Sequence, residues 1–323
     1  MNYNMFKGTR LEVSELSLGT MMFGGQTEEA ESLAIMNRAY ERGINLFDTA
    51  DVYNAGESER IVGKGLKGRR EKIILATKVF NKVGEADFNN SGLSRRYLLK
   101  ALDASLLRLD TDYVDIYYLH SPDYHTRLEE TLETMTDIVK CGKVRYIGVS
   151  NFAAWQIADI LSLCEKNGYI APIVTQNVYN AIIRDIEGEL IPCIQNHGIN
   201  LTIYNPIAAG LLSGKHKRGK PTENTRFAWN KLYADRYWSE KNFTAVEDLE
   251  EIAVKNNISL LELALRWCVS RGEVVSVITG VSRLSQLEQN IASVEGGPLS
   301  AEVMSRCDEV WQNLAGRPFT YMR

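Results

Sequence analysis

The sequence lacks what would place it in a membrane, on a nucleic acid or around a metal ion. No stretch reaches the run of about 18 apolar residues that a spanning helix needs. The opening Met1–Arg10 is polar and unlike a secretion signal. Basic charge is not in excess: the formal net charge is -4, which leaves no field to hold a nucleic-acid backbone or an anionic lipid surface. Histidine is scarce, with four residues and no HxH or HExxH spacing, so a zinc site is not expected. Five cysteines, an odd number without a CxxC pair, read as free thiols of a reducing, cytoplasmic compartment. Internal repeats, low-complexity segments and Pro/Gly/Ser linkers are missing too, so residues 1–323 read as one domain. The sequence leaves a homo-oligomer open.

What is present is an alternation. Eight short apolar runs recur, at Leu16–Gly19, Ile44–Phe47, Ile73–Thr77, Val114–Leu119, Val144–Val149, Ile173–Asn177, Ile199–Tyr204 and Val275–Thr279. Each is apolar at nearly every position or at alternate ones, as expected of strands buried on both faces. Amphipathic stretches separate them. Residues 28–42 carry Leu33, Met36 and Tyr40 on one face, with Glu28, Glu29 and Glu31 in the first turn and Gly43 at the end. Ser94 is placed to cap a helix over 95–109, and Leu128, Leu132, Met135 and Ile138 share a face before Gly142 stops the next.

Eight strand–helix pairs predict a closed parallel (β/α)8 TIM barrel. An open doubly wound sheet usually begins with strand–GxGxxG–helix, and Leu18–Gly24 is not such a turn. Three additions to the barrel are expected. Met1–Val13 can form a hairpin around Lys7-Gly8-Thr9, residues 205–241 form a long loop after strand seven, and residues 242–256 and 301–314 make two extra helices.

Active sites of such barrels lie at the C-terminal strand ends, which places the residues just past each run under scrutiny. Strand two ends in Asp48-Thr49-Ala50-Asp51-Val52-Tyr53, strand three in Lys78, strand four in His120, strand five in Ser150-Asn151 and strand six in Gln176. Strand seven ends in Tyr204-Asn205 and strand eight in Gly280-Val281-Ser282-Arg283. Alone, each has an ordinary reading: Asp48 a turn or cap carboxylate, Tyr53 a rim aromatic, Lys78 a solvated amine, His120 a turn cap before Ser121-Pro122. Polar groups at nearly every strand end are more than a scaffold needs.

The stretches DTADVY and GESE (48–59), ATK (76–78), YYLH (117–120) and GVSN (148–151), then Gln176 and GVSR with Asn290, resemble the aldo-keto reductase superfamily along the whole chain. The last third, with YNPIAAGLLSGK (204–215), RYW (236–238), EGGPL (295–299) and a terminal TYMR, is most similar to the branch that reduces aflatoxin aldehyde and succinic semialdehyde. The resemblance implies NADPH-dependent reduction of an aldehyde by Asp48, Tyr53, Lys78 and His120. In that scheme Tyr53 gives the proton. A phenol's ordinary pKa of about 10 suits neutral pH poorly, so a neighbouring cation that favours the phenolate, Lys78 held by Asp48, makes it a usable acid. His120 would orient the carbonyl oxygen.

The resemblance also implies the cofactor residues. Ser150, Asn151 and Gln176 would hold the nicotinamide carboxamide, and Tyr204 would stack on its ring, near Gly19, Thr20 and Met21. Asn205, Pro206, Ala208, Gly210, Leu211, Ser213 and Lys215 would pass over the pyrophosphate, beside a basic cluster that continues to His216, Lys217, Arg218 and Lys220. Gly280, Ser282, Arg283, Gln286, Gln289 and Asn290 would take the adenosine end, with Arg283 and the helix N-terminus offered to a 2′-phosphate. Arg236 and Arg323 occupy the positions that bind a substrate's remote carboxylate in the semialdehyde branch. The aromatic pairs Phe227/Trp229 and Tyr237/Trp238 read equally as pocket walls or loop packing. The superfamily also contains channel β-subunits that keep the fold and cofactor with little turnover. A Schiff-base lyase using Lys78 is a third reading, which the Tyr53 and His120 context opposes.

Overall fold

Every apolar run becomes a strand. The structure is a computed structural model, and it describes residues 1–84, 89–219, 221, 226–229 and 231–316. Strand β1 (Tyr3–Met5) pairs antiparallel with β2 (Glu12–Ser14), the hairpin anticipated around Gly8. Strands β3 (Leu16–Gly19), β4 (Leu46–Asp48), β5 (Ile74–Val79), β6 (Val114–Leu119), β7 (Val144–Ser150), β8 (Val174–Val178), β9 (Asn200–Tyr204) and β10 (Val274–Gly280) then close into a barrel. All its pairings with a defined register are parallel, and β10 closes it on β3 from Val277 opposite Leu16 to Gly280 opposite Gly19.

The chain packs as two compact units. The barrel unit comprises residues 1–177, 186–204 and 273–288, and the second comprises 178–185, 205–272 and 289–323. Around the barrel run α1 (Glu29–Glu41), α2 (Glu57–Leu66), α3 (Arg95–Leu109), α4 (Leu128–Lys140), α5 (Ala154–Asn167) and α6 (Leu190–His197). Ser94 caps α3 as anticipated, accepting from the Tyr97 amide.

The stretch after strand seven, expected to be a loop, is helical in part where it is described. A tight turn over Ala208–Ser213 is followed by α7 (Arg226–Trp229) and α8 (Lys231–Tyr237). The short spacing of its aromatic residues hid that structure from a periodicity reading. Helices α9 (Glu240–Lys255), α10 (Leu260–Val269), α11 (Leu284–Glu295) and α12 (Ala301–Ala315) follow, and α9 and α12 are the two helices expected beyond the eight.

The hairpin closes the N-terminal end of the barrel. Phe6 and Val13 join Leu46, Ile74, Ala76, Ile116, Tyr118 and Val174 in one buried cluster. Polar side chains fix it there: Asn200 accepts from the Lys7 amide at 2.7 Å, and Asn45 accepts from the Ser14 amide at 2.8 Å. Those cluster residues are spaced by two along their strands, so they mark the inward-facing set. The bulkiest is Tyr118, whose ring lies against Gly148 on the neighbouring strand. A Cβ at Gly148 would stand 2.4 Å from two ring carbons.

All five cysteines are free thiols, as anticipated, and burial pushes Cys164 up to about 11 and Cys307 up to about 12. No described helix is long and apolar enough to cross a membrane, and the described residues contain no cluster of three metal-ligating side chains.

The Gly148–Tyr118 contact gives a stability prediction. Gly148→Ala should destabilise the fold by about 1–3 kcal/mol, since the ring is walled in and cannot yield. Urea unfolding checks this, and a midpoint equal to that of the unsubstituted protein would show that the barrel interior has room there.

Candidate active site

The inward alternation that builds the core continues into polar residues at the top of the barrel. Leu46 is followed two residues on by Asp48, Ala76 by Lys78, Tyr118 by His120 and Val174 by Gln176. Period-two strand geometry therefore aims all four into the same mouth, with Lys78 in register with Tyr118 and Asp48 with Ala76.

Lys78 is the centre of the group. Its side chain has 0% exposure, yet it carries a charge. The ammonium donates to Asp48 Oδ1 at 2.5 Å, to the Thr49 carbonyl at 2.8 Å and to the Tyr53 hydroxyl at 3.3 Å. Three donors meet three acceptors, which is what a buried ammonium requires. Burial works to lower its pKa, but Asp48 and then Tyr53 outweigh it and the pKa lies above the ordinary lysine value.

Asp48 is held on its other side by Gln176, whose Nε2 donates to Oδ2 at 2.8 Å. Gln176 was anticipated as a nicotinamide contact, and the structure gives its amide nitrogen this further partner. Ser150 donates to the Gln176 carbonyl at 2.9 Å, Asn151 Nδ2 donates to Ser150 Oγ and to the His120 carbonyl, both at 3.1 Å, and the Tyr204 hydroxyl donates to Asn151 Oδ1 at 2.9 Å. Ser150, Asn151, Gln176 and Tyr204 thus form one hydrogen-bonded chain that ends on the Lys78–Asp48 pair. Asn151 stands at φ 63°, a left-handed conformation that asparagine tolerates better than most side chains.

Tyr53 lies beyond the end of β4, so the loop must bring it back. Residues Asn54 and Ala55 are left-handed at φ 48° and 56°, and Gly56 follows at φ 90° before α2 begins. Asn54 Nδ2 ties this bend down by donating to the carbonyls of Met21 at 3.0 Å and Phe23 at 2.7 Å. The turn leaves the Tyr53 and His120 rings edge to face, with centroids 6.1 Å apart.

His120 is held neutral. Burial first, and then the Lys78 charge, depress its pKa to about 3. Its Nδ1 is buried without a partner among the described residues. A neutral imidazole carries one N–H donor and one acceptor nitrogen, so it can donate a single hydrogen bond into the mouth.

The adenosine-end residues of the barrel unit lie at the end of β10 and the start of α11. Arg283 is exposed and has no ion pair among the described residues, which suits an anion. The amides at the start of α11, however, are already engaged: Gln286 Oε1 accepts from the Ser282 amide at 2.8 Å, and Glu31 Oε1 accepts from the Leu284 amide at 2.7 Å. At the terminus expected to receive a phosphate, the Leu284 amide thus meets a carboxylate. Gly280 faces open space, with nothing within 4 Å of a Cβ built there, whereas a Cβ on Gly19 would lie 2.9 Å from Ile278. Met21 is half-buried, while Thr20 is buried, its hydroxyl bonded to the Asp48 carbonyl at 3.1 Å and to Ser58 at 2.8 Å.

In the second unit, Asn205 (φ 62°), Ala208 (φ 49°), Ala209 (φ 58°) and Gly210 (φ 103°) make a tightly coiled, largely left-handed segment. Asn205 pins it, accepting from the Ala209 amide at 2.6 Å and donating to the Tyr237 hydroxyl at 2.5 Å. Pro206 and Leu211 are buried, Ser213 is half-buried, and its hydroxyl donates to the Gly210 carbonyl at 2.6 Å. The basic cluster is divided. Lys215 is exposed, His216 is buried among Phe227 and Trp238, Arg218 pairs with Glu240 and Glu247, and Lys217 lies 3.8 Å from Glu250. Lys220 lies outside the described residues.

Phe227 packs on both Tyr237 and Trp238, with ring centroids 6.3 and 5.0 Å apart. The side chain of Trp229 lies outside the described residues. On α11, Gln289 is exposed and Asn290 buried. Arg236 is exposed in the last turn of α8, and Arg323 lies outside the described residues. Sequence reasoning gave no role to Asn54 or to Asp51. A polar residue at a left-handed turn was the one available signal for Asn54.

The chain matches the model of the Aldo/keto reductase family over residues 15–312. It is 37% identical to "Aflatoxin B1 aldehyde reductase member 2" of Rattus norvegicus, over 95% of this chain and 87% of the relative. It is 36% identical to "Probable voltage-gated potassium channel subunit beta" of Arabidopsis thaliana, over 99% of this chain and 100% of the relative. Among solved structures, an aldo-keto reductase from Bacillus halodurans in its holo form superposes with a TM-score of 0.81 at 32% identity, covering 96% of each chain.

The His120 environment predicts that its imidazole does not titrate between about pH 5 and pH 9, a window that spans the ordinary histidine value of about 6.5. Histidine ring-proton NMR measures this against a His120→Gln variant. A His120 resonance moving with a midpoint near the ordinary value would place the ring in contact with solvent.

Proposed function

The chain belongs to the aldo/keto reductase family, and from that premise we propose that it reduces aldehydes to alcohols with NADPH, Tyr53 supplying the proton. The single observation that carries this reading is the Lys78 ammonium, buried between Asp48 Oδ1 at 2.5 Å and the Tyr53 hydroxyl at 3.3 Å. Carbonyl reduction needs one proton at one oxygen, and an ammonium within hydrogen-bond reach of a phenol supports that phenol as the acid.

A reduced nicotinamide dinucleotide supplies the hydride when bound. The residues present fit such a group: the Tyr204–Asn151–Ser150–Gln176 chain offers amide and hydroxyl groups at adjoining strand ends, and Arg283 offers an exposed guanidinium with no ion pair among the described residues. As negative charge develops on the substrate oxygen, Tyr53 transfers its proton there. Lys78 stabilises the phenolate left behind, and Asp48, braced by Gln176, keeps the ammonium from moving with it. Neutral His120 donates a hydrogen bond to the same oxygen and fixes its position.

The preference for NADPH over NADH rests on Arg283, since a guanidinium matches a phosphate's geometry. Glu31 at the Leu284 amide works against it, because a second anion at that terminus is repelled. The preference is accordingly expected to be partial. A semialdehyde with a distal carboxylate fits the presence of Arg236 and Arg323.

The full-length likeness to a channel β-subunit favours a second reading, in which the chain binds the cofactor and turns over little. Turnover separates the two. The experiment follows NADPH absorbance against aromatic aldehydes, aldoses and succinic semialdehyde with the unsubstituted protein and with Tyr53→Phe. Tyr53→Phe is expected to bind NADPH normally and to lose about two to four orders of magnitude in kcat, the usual contribution of a positioned general acid. Half-normal activity in that variant would remove Tyr53 from its role. Slow turnover with every aldehyde in the unsubstituted protein would favour the binding subunit.

A further inference from the structure

A second buried acid lies just behind the Lys78 group, and the scheme above does not use it. Asp51 is 1% exposed, and neither carboxyl oxygen has a hydrogen-bond partner among the described residues. A carboxylate in that condition is costly, since ionised groups taken from water need hydrogen bonds or a counter-ion. Its backbone is part of the site: the Asp51 amide donates to the Lys78 carbonyl at 3.3 Å, and Asp51 lies between Asp48 and Tyr53 in one turn.

The groups that face Asp51 come from four elements. Lys78 on β5 and Tyr117 on β6 belong to the barrel wall, Glu59 to α2, and Arg108 and Tyr97 to α3. Glu59 is fully engaged, accepting from Thr77 Oγ1 and from Arg108 Nε, both at 2.6 Å. Arg108 is therefore committed to Glu59, and its charge is already balanced. The Tyr117 hydroxyl is buried with no hydrogen-bond partner among the described residues. No free cation remains among the described residues to balance a second anion in this layer.

We propose that Asp51 is a positioning residue of the reductase site, whose buried carboxyl keeps its proton while the enzyme works and, on releasing it to solvent, retunes Lys78 and Tyr53. The inference rests on the reductase reading given above. Burial first and Glu59 second push the Asp51 pKa up to about 8, against smaller opposing effects of Arg108, the Val52 amide and Lys78. The Val52 N–H eases the charge without meeting hydrogen-bond geometry. While Asp51 is neutral, the Lys78 charge is shared between Asp48 and Tyr53 alone. Once ionised, Asp51 adds negative charge within electrostatic reach of Lys78, so the phenolate of Tyr53 is less favoured and the phenol holds its proton to higher pH.

The test pairs two measurements. In the unsubstituted protein with 13C-labelled aspartate carboxyls, one carboxyl should titrate with a midpoint near pH 8, and that resonance should be missing from Asp51→Asn. The kcat/KM profile for aldehyde reduction, each normalised to its own maximum, should show the alkaline limb of Asp51→Asn displaced to lower pH. A single charge acting across a protein interior moves a neighbour's titration by about one pH unit. Superimposable limbs would overturn the coupling, and aspartates that all titrate in the ordinary range would overturn the buried proton. If Asp51→Asn does not fold, the carboxyl titration of the unsubstituted protein still decides whether the proton is there. Failure of the reductase reading looks different: no aldehyde turns over, and the role proposed for Asp51 in catalysis falls with it even if the carboxyl titrates near pH 8.

Discussion

A fully buried ammonium is the constraint around which the top of this barrel is arranged. Lys78 has no exposure, and an unpaired charge in such a place is costly enough to unfold or neutralise the group. The surrounding residues prevent both outcomes. Asp48 supplies the counter-charge, the Thr49 carbonyl and Tyr53 hydroxyl take the remaining donors, and Gln176 fixes the second oxygen of Asp48. Thr20 holds the Asp48 carbonyl from the other side, and Ser58 in turn donates to the Thr20 carbonyl. The proton chemistry proposed for Tyr53 would follow from satisfying this lysine, because of its three acceptors the phenol is the one that still carries a proton at neutral pH.

The same geometry explains why a rigid floor matters. Inward-facing positions run in steps of two from the hairpin-sealed base, through Ala76 and Tyr118, to Lys78 and His120. A shift of one residue in any of these strands would turn its functional side chain out of the mouth. The packing of Tyr118 on Gly148, and of Phe6 and Val13 into the base, therefore fixes the register on which the site depends. The outward positions serve a second layer, in which Thr77, Glu59, Arg108 and Asp51 lie between the wall and helices α2 and α3.

Much of this was legible in residue order alone. The eight apolar runs became the eight barrel strands because strands buried on both faces need no partner pattern to reveal them. The strand-end rule singled out Asp48, Lys78, His120 and Gln176 before any distance was known. What the sequence could not show was mutual engagement. Nothing in the spacing says that Gln176 braces Asp48, that Glu31 occupies the Leu284 amide, or that Arg218 is matched by Glu240 and Glu247 rather than free for an anion. These contacts join residues up to 253 positions apart, and each depends on side-chain placement. Asp51 was hidden for the same reason. An acid two residues before Tyr53 reads as a surface turn until its burial is seen.

The central claim is that the Lys78–Asp48 charge pair makes Tyr53 an acid. Removing Lys78 alone would strand a buried carboxylate, so the decisive protein is the double variant Asp48→Asn/Lys78→Met, which removes both charges at nearly constant volume. NADPH binding by fluorescence and single-turnover reduction of one good aldehyde should be measured together. The account predicts a folded protein that binds NADPH and reduces the aldehyde at least about a hundredfold more slowly, the lower bound of what a tuned general acid contributes. Reduction within about threefold of the unsubstituted rate, with binding intact, would contradict it.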